Sequence, residues 1–381
     1  MSKGGIVFLA SIGFLAASAC SSGNHTPVAD AGGPTATCGG NITVEDQSEK
    51  DCSTCSTSTS CTSETPLKVC CTYAGQPTTP LARATGLHRF SAPQGASSAP
   101  DLSCITNPGT LGTPQTVTLT GYVWLFDTGT DSAGVKVEVY TENHPTTPDG
   151  TFSSAPVGSY TTTTSDPTYP LADTTWNTNC TAPGCSYRQY TITGVPTETP
   201  LVIETSDAAG GSTWATLYDY NIYFPNNAVT DEGGAPQVFY DATAASSGDP
   251  NTVAGSLGYT VTTGVIAGEV HDCWTDPDGY VGGVRLAGAT VGSSVLPEGN
   301  QIYFSNDDEA SPLLASSATS TTTLGLYGGI NYPTGVPIRV TAVGEDPANP
   351  GKYLMLGTYV VQTFPSAVTA LSLRGRRPWQ P

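Results

Sequence analysis

Basic residues are scarce in this chain. Its 381 residues include 13 Lys and Arg against 32 Asp and Glu, for a formal net charge of −19. So few cations argue against binding to a nucleic-acid backbone, which requires many. Long runs of good helix formers are also missing, and only 12% of residues are charged, whereas Gly (43) and Pro (30) are plentiful. This composition favours an all-β protein built from short strands and many turns.

The motifs of common hydrolases are absent as well. The sequence contains no Gly-x-Ser-x-Gly nucleophile elbow and no His-Glu-x-x-His zinc helix. The four histidines, His25, His88, His144 and His271, are scattered, so a catalytic pair would have to be assembled from distant positions. We therefore expect a protein that is not an enzyme and that carries no cofactor.

The first twenty residues, MSKGGIVFLASIGFLAASAC, indicate export. Lys3 precedes an apolar stretch that is too short to span a bilayer but suits a signal-peptide core, and small residues then lead directly to Cys20. This pattern resembles the lipobox of bacterial lipoproteins, in which the cysteine is lipidated and becomes the mature N-terminus. The resemblance implies a lipid anchor at Cys20 and, because Ser21 follows, the outer membrane of the bacterial cell envelope. The alternative is an ordinary cleavable signal with a coincidental cysteine.

The cysteine count predicts disulfides. Export to an oxidising compartment favours oxidation, and setting Cys20 aside leaves ten candidates. Seven lie between 38 and 104 and three lie later, so complete pairing needs at least one bridge between the groups. If Cys180 closes locally on Cys185, Cys273 reaches back to the N-terminal group, for example to Cys104. The candidates are Cys38, Cys52, Cys55, Cys61, Cys70, Cys71, Cys104, Cys180, Cys185 and Cys273.

Zinc is the rival interpretation of the N-terminal cysteines. Cys52 and Cys55 have the two-residue spacing that thiolate zinc sites use. The adjacent Cys70 and Cys71 form a poor second pair, and export favours oxidation. We therefore expect no metal there, but a small disulfide-bonded module with little hydrophobic core of its own.

One stretch of sequence occurs twice. YTITGVPTETPLVIE at 190–204 and YGGINYPTGVPIRVT at 327–341 share a Tyr, a Pro-Thr and a second Pro at matching positions. Alternating apolar and polar residues precede both copies, as in SAGVKVEVY at 132–140, and this period predicts strands with one buried face. Each copy is close to the length at which a β-sandwich forms one core. The sequence therefore predicts two tandem β-sandwiches.

The second copy resembles the carboxypeptidase regulatory-like, or transthyretin-like, module. The matching residues are Gly268-Glu269-Val270, the run Ala287 to Val291, and Tyr327 followed by the strand 338–343. The resemblance extends more weakly to the first copy, which an insertion at 141–189 interrupts. It implies an extracellular, non-catalytic, Ig-like or transthyretin-like fold with no active site to carry over.

These patterns predict the following division of the chain. The segments are a lipoprotein signal peptide (1–19), a lipid-anchored flexible tether (20–37), a disulfide-rich module (38–104), a first β-sandwich (115–224), a linker or sandwich edge (225–262), a second β-sandwich (263–365), and a C-terminal strand with a basic tail (366–381). For the tail, we expect either a loose end or docking on the acidic body or on anionic glycans.

Binding residues are less well marked. Asp276 and Asp278 are weak calcium candidates, and a plain turn leaving a strand explains them better. Trp176, Trp214 and Trp274 are candidates for a docking surface, although rings on strands are more often core. The sequence thus predicts a surface-exposed or periplasm-facing lipoprotein with a structural or adhesive role. The alternative is a carbohydrate- or protein-binding subunit of an envelope complex, whose partners would be envelope proteins or glycans.

Overall fold

The computed structural model describes residues 87–89, 99–126, 131–141, 145–147, 150–169, 186–232, 234–273, 284–293, 295, 297–298, 302–305, 312–313, 320–322, 324–349, 353–375 and 377–378. These residues are mostly β, which confirms the predicted all-β class. The signal peptide, Cys20, the tether and most of the predicted disulfide-rich module lie outside them. None of the helices within the described residues is long and apolar enough to cross a membrane.

The strands are short and follow one another along the chain with few helices between them. They are β1 (His88–Arg89), β2 (Thr116–Leu125), β3 (Val135–Tyr140), β4 (Gly158–Thr161), β5 (Gln189–Pro196), β6 (Leu201–Asp207), β7 (Thr216–Ile222), β8 (Thr230–Glu232), β9 (Ala235–Phe239), β10 (Ala242–Ala244), β11 (Gly264–Val270), β12 (Leu286–Ala287), β13 (Thr290–Ser293), β14 (Tyr303–Ser305), β15 (Pro312–Leu313), β16 (Leu326–Tyr332), β17 (Ile338–Glu345), β18 (Tyr353–Val361) and β19 (Ala367–Leu373). The helices are α1 (Ser103–Thr106) and α2 (Asp249–Ser256), and one 3₁₀ turn spans Asn226–Ala228.

A nine-stranded sheet joins the two copies of the repeat. Its order is β15-β14-β16-β11-β19-β7-β6-β3-β4. The C-terminal strand β19 lies in the middle, where it pairs in parallel with β11 of the second copy and with β7 of the first. A five-stranded sheet contains β5, β2, β9, β10 and β8, and a three-stranded sheet has the order β13-β17-β18. The copies are therefore fused edge to edge rather than connected only by a linker.

The nine-stranded sheet has an apolar core on each face. On one face, Val137 of β3 and Ile203 of β6 share a cluster with Leu119 of the five-stranded sheet. On the other face, Tyr220 of β7 shares a cluster with Val340 of the three-stranded sheet. This arrangement follows from side-chain alternation, which sends successive residues of a strand to opposite faces. The three sheets therefore stack in layers, with the longest one in the middle.

The repeat is reproduced in the strand register. The pair β2–β5 is antiparallel with a bulge at Gly194, and the pair β11–β16 is antiparallel with a bulge at Asn331. Both residues have a left-handed backbone, with φ of 87° and 58°. A parallel strand then covers the other edge of each central strand, β9 with β10 on β2 and β19 on β11. Thus the two stretches of about fifteen residues that align without a gap also have the same strand register in the structure.

The repeated tyrosine forms the same bond in both copies. The Tyr190 hydroxyl donates to the Tyr240 carbonyl over 2.7 Å, and the Tyr327 hydroxyl donates to the Leu371 carbonyl over 2.9 Å. In each case the accepting carbonyl lies against a glycine of the central strand, where a Cβ would overlap it. Those glycines are Gly121 and Gly268. The tyrosine therefore joins the antiparallel and parallel neighbours of one strand.

Removing either hydroxyl should lower the free energy of unfolding. We expect Tyr190→Phe and Tyr327→Phe each to cost about 1 kcal/mol, because each change leaves a buried carbonyl without its donor. Urea unfolding followed by circular dichroism measures the loss. Tyr259→Phe, at a half-buried ring beside α2, is the control and should leave the midpoint unchanged. Wild-type midpoints for both test variants would contradict the proposed role of the hydroxyls.

The shared Pro-Thr-x-x-Pro turn requires a left-handed residue at its third position. Gly335 fills it in the second copy with φ of 71°, but Glu198 fills it in the first with φ of 53°. A non-glycine residue is strained there. The Glu198 carboxylate accepts hydrogen bonds from the Gly112 and Asn226 amides at 3.0 and 2.7 Å and from the Tyr223 hydroxyl. These three bonds offset the strain and fix the chain where it enters the first copy.

Residues 225–262 belong to the layers. β8, β9 and β10 belong to the five-stranded sheet. The helix α2 buries Val253 and Ala254 against Tyr303 and Ile330 of the nine-stranded sheet. The described part of the predicted disulfide-rich module also packs on the body. Leu87 is buried in the core shared with the three-stranded sheet, and β1 pairs with β12.

Candidate functional site

Polar side chains gather where three neighbouring parallel strands end. β7, β19 and β11 run in the same direction, so their carboxyl ends meet at one edge of the nine-stranded sheet. Glu269 and His271 lie two residues apart at the end of β11, and Arg285 forms an isolated bridge with His271. One Glu269 oxygen bonds the His271 Nε2 and the other bonds the Arg285 Nη2. We call these three residues the ionic triad.

The ionic triad is poorly suited to acid–base chemistry. Burial alone would raise the pKa of Glu269, but the charge of Arg285 and the bond to His271 outweigh burial and hold this pKa well below its usual range. A carboxylate with so low a pKa is a weak general base. Both of its oxygens are also engaged. The arrangement therefore fixes the end of β11 and offers little for proton transfer.

A second carboxyl lies on β7, which β19 separates from β11. Asp219 of β7 is buried and accepts a 2.6 Å hydrogen bond from the Tyr240 hydroxyl. Burial raises the pKa of Asp219 to about 7, and the negative charge of Glu269 adds to the shift, whereas the Tyr240 bond opposes it. Burial likewise raises the pKa of Glu204 to about 7, with a contribution from Glu138.

These raised pKa values predict a protein that is more stable in weak acid. A carboxyl whose folded pKa exceeds its unfolded value of about 4 binds more protons in the native state, so stability falls as pH rises from about 4 to 7 and is then flat. We expect urea midpoints to be higher at pH 5 than at pH 8. At about 1.4 kcal/mol per pKa unit, the two units between pH 5 and the Asp219 pKa of about 7 correspond to at most about 3 kcal/mol of that difference. Asp219→Asn should flatten the profile, and an unchanged slope in this variant would contradict the assignment.

The described tail residues are docked. The Arg377 Nε and Nη2 donate to the side-chain and main-chain oxygens of Asn221 at 2.9 and 2.6 Å, and its guanidinium lies 5.7 Å from the Tyr223 ring centroid. Burial beside Arg374 lowers the pKa of Arg377 to about 9. The Arg374 Nη2 donates to the Cys273 carbonyl over 3.0 Å. These two arginines therefore bond to the body through Asn221 and the Cys273 carbonyl.

A disulfide closes the same edge of the sheet. Cys104 and Cys273 are bonded, with their Cα atoms 5.5 Å apart and a sequence separation of 169. Cysteine parity favoured a bridge from Cys273 to the N-terminal group, and Cys104 was the example given. Beside it, the Asp272 carboxylate accepts the amides of Asp101 and Val284 at 3.0 and 3.1 Å. The N-terminal segment is thus attached to the second copy before the chain enters the first.

The matching position in the first copy has aromatic rings instead. By register, Tyr122 and Trp124 of β2 correspond to Glu269 and His271 of β11. The Trp124 ring lies 4.4 Å from that of Tyr187 and 5.2 Å from that of Tyr169, and the Tyr122 ring lies 5.1 Å from Tyr169 and 6.1 Å from Phe239, as centroid distances. We call Tyr122, Trp124, Tyr169 and Phe239 the aromatic row. All four are half-buried.

Several predicted site residues fall outside the described part of the chain. These are Cys20, Trp176, Trp274, Asp276, Asp278 and all the cysteine candidates except Cys104 and Cys273. Trp214 is described, half-buried against the core of the first copy, where it forms an isolated bridge with Ser246. Among the described residues, no three His, Cys, Asp or Glu side chains are placed to hold a metal ion.

Sequence reasoning missed the ionic triad and the aromatic row. A usable signal existed for both: Glu269 and His271, like Tyr122 and Trp124, sit at alternate positions of a predicted strand and so share a face. No signal placed Arg285 beside Glu269 or Asp219 beside Tyr240, because those contacts depend on which strands and loops are neighbours. Comparison of the sequence with protein families and with curated proteins finds no match.

Proposed function

We propose that this protein is a non-catalytic lipoprotein of the bacterial cell envelope, anchored at Cys20 in the outer membrane. In this proposal its body consists of two Ig-like, transthyretin-like sandwiches, with a structural or adhesive role. The fused nine-stranded sheet carries the argument. The two copies share one sheet, a long-range disulfide closes its edge, and internal bonds occupy the polar sites. These features favour a rigid, exported, mechanically stable protein over a catalytic one.

The anchor is testable in a bacterial host that has an outer membrane. Wild-type protein should incorporate labelled palmitate and fractionate with the outer membrane, because several acyl chains hold a protein there almost permanently. Cys20→Ser should lose the label and leave the membrane fraction. The double variant Cys104→Ala/Cys273→Ala is the matched control, since it removes cysteines but should keep the label. Unlabelled wild-type protein in the cytosol would reject the proposal.

A binding role is the second candidate, and the aromatic row favours it. Three half-buried rings of the five-stranded sheet, Tyr122, Trp124 and Phe239, form one cluster with Tyr169 of the adjoining segment, with neighbouring ring planes inclined by 57–89°. At the matching position in the second copy, the ionic triad and the docked α2 leave no comparable platform among the described residues. A difference between two copies of one fold is what divergence of a single face towards binding would produce.

A further inference from the structure

The outward face of β2, β5 and β9 differs in chemistry from the rest of the protein. Burial alternates along β2, so that Val117, Leu119 and Val123 are buried while the residues between them point outward. The outward positions of the three strands are Thr116, Thr118, Thr120, Tyr122, Trp124, Gln189, Thr191, Thr193, Ala235, Gln237 and Phe239. They include no charged residue and no Val, Leu, Ile or Met. In a chain of net charge −19, this is a neutral face rich in hydroxyls, amides and rings.

The second copy provides an internal comparison. By register, Thr118, Thr120 and Phe239 correspond to Val265, Ala267 and Ala370. Val265 belongs to a buried apolar cluster with Leu217 and Val368. The same face of the same fold is therefore aliphatic and covered in one copy, and polar, aromatic and partly exposed in the other. Core packing alone does not explain threonines and rings at these positions.

The rings are held in place before any ligand arrives. The segment that carries Tyr169 is attached to β5, because the Tyr169 amide donates to the Tyr187 carbonyl and the Gln189 amide donates to the Pro167 carbonyl, both over 2.9 Å. Arg188 fastens the same segment by donating to the Thr164 and Asp166 carbonyls at 2.9 and 3.1 Å. A fixed platform loses little conformational entropy on binding.

From this chemistry we infer that the face of β2, β5 and β9 binds a neutral polysaccharide chain, with its sugar rings lying along the aromatic row. Aromatic faces are electron-rich and attract the C–H face of a sugar ring, while threonine and glutamine side chains exchange hydrogen bonds with its hydroxyls. The ring centroids of Phe239, Tyr122, Tyr169 and Trp124 follow one another at 6.1, 5.1 and 5.2 Å, with neighbouring ring planes inclined by 57°, 89° and 57°. This inference rests on the binding role proposed second above.

Other partners fit the face less well. A stable protein interface has a largely apolar core, whereas seven of the eleven outward positions of this face are threonine or glutamine. An anionic polysaccharide would need cations, and none of the outward positions of these three strands is Lys or Arg. The Asp241 carboxylate, which accepts the Tyr122 amide over 2.8 Å, is itself an acid beside this face.

Binding of the full mature chain to defined polysaccharides tests the inference. The probes are amylose, mixed-linkage β-glucan and galactomannan, with alginate as an anionic comparison, in affinity gel electrophoresis followed by calorimetry. We expect one neutral probe to bind and alginate not to bind. Tyr122→Ala should weaken the binding about tenfold, equivalent to about 1.4 kcal/mol. Thr191→Arg, at an exposed position of β5, should weaken it as much by blocking the face without touching the core.

Two controls keep the outcomes distinct. Tyr259→Ala removes a half-buried ring near α2, and Thr252→Arg adds the same bulk at an exposed threonine of α2; both should bind like wild type. Thr191→Arg must keep the wild-type unfolding midpoint. Failure of every neutral probe, binding only to alginate, capture of a protein alone, or neutral binding unaffected by Tyr122→Ala and Thr191→Arg would each overturn the inference. None of these results would alter the Cys20-dependent fractionation, so the proposed envelope location is tested independently of polysaccharide binding.

Discussion

Gly268→Ala is expected to prevent the second copy from folding. A Cβ on Gly268 would overlap the Leu371 carbonyl oxygen and crowd the Tyr327 hydroxyl, and neither can withdraw without breaking the parallel pairing of β11 with β19. Because β19 also pairs with β7, the fault spreads to the junction of the two copies. We expect a loss of at least about 4 kcal/mol, the upper range for single substitutions. Urea unfolding and soluble expression measure it.

A second glycine supplies the control. Gly255 lies in α2, and a Cβ there would meet nothing within 4 Å. Gly255→Ala should therefore keep or raise the unfolding midpoint, since Ala is better than Gly in a helix by up to about 1 kcal/mol. Gly121→Ala should resemble Gly268→Ala, because its Cβ would overlap the Tyr240 carbonyl. A Gly268→Ala protein with the wild-type midpoint would show that the repeat tolerates a wider spacing than the structure has.

Removing the Cys104–Cys273 bridge is the second large effect. The bonded cysteines are 169 residues apart, so the bridge restricts a very long loop of the unfolded chain. Chain entropy sets an upper value of about 5 kcal/mol for such a loop, and native disulfides typically contribute about 2–5 kcal/mol. Cys104→Ala/Cys273→Ala, which leaves no unpaired thiol of this pair, should lose stability in that range by urea unfolding. A double variant with the wild-type midpoint would mean that the packing of α1 alone holds this edge.

Local patterns predicted the strands well. The alternation Val135, Val137, Val139 identified β3, and the shared Tyr and Pro-Thr positions identified the two copies because those residues make the same bond and the same turn in each. Parity of the cysteines also pointed to a bridge from Cys273 to the N-terminal group. These features depend on residues that are close in sequence or on the number of cysteines, and a single sequence shows both kinds of information.

Strand neighbours could not be predicted in the same way. Nothing in the sequence of β19 tells that it lies between β7 and β11, because β pairing joins residues far apart and many strands have compatible faces. The boundary expected near 263 therefore separates strands that share one sheet. The contacts of Glu269 with Arg285 and of Asp219 with Tyr240 could not be predicted for the same reason, because they depend on which strands and loops are neighbours.

The bridge between Cys104 and Cys273 also determines how the body would respond to pulling. Tension between a membrane-held N-terminus and a point beyond residue 273 would pass through the sulfur–sulfur bond and bypass residues 105–272. The chain of the first copy would then lie outside the covalent path of the force, which would reach this copy only through non-covalent contacts such as the pairing of β19 with β7. A ligand held at the aromatic row would thus be bound by a domain that the disulfide keeps out of the covalent path.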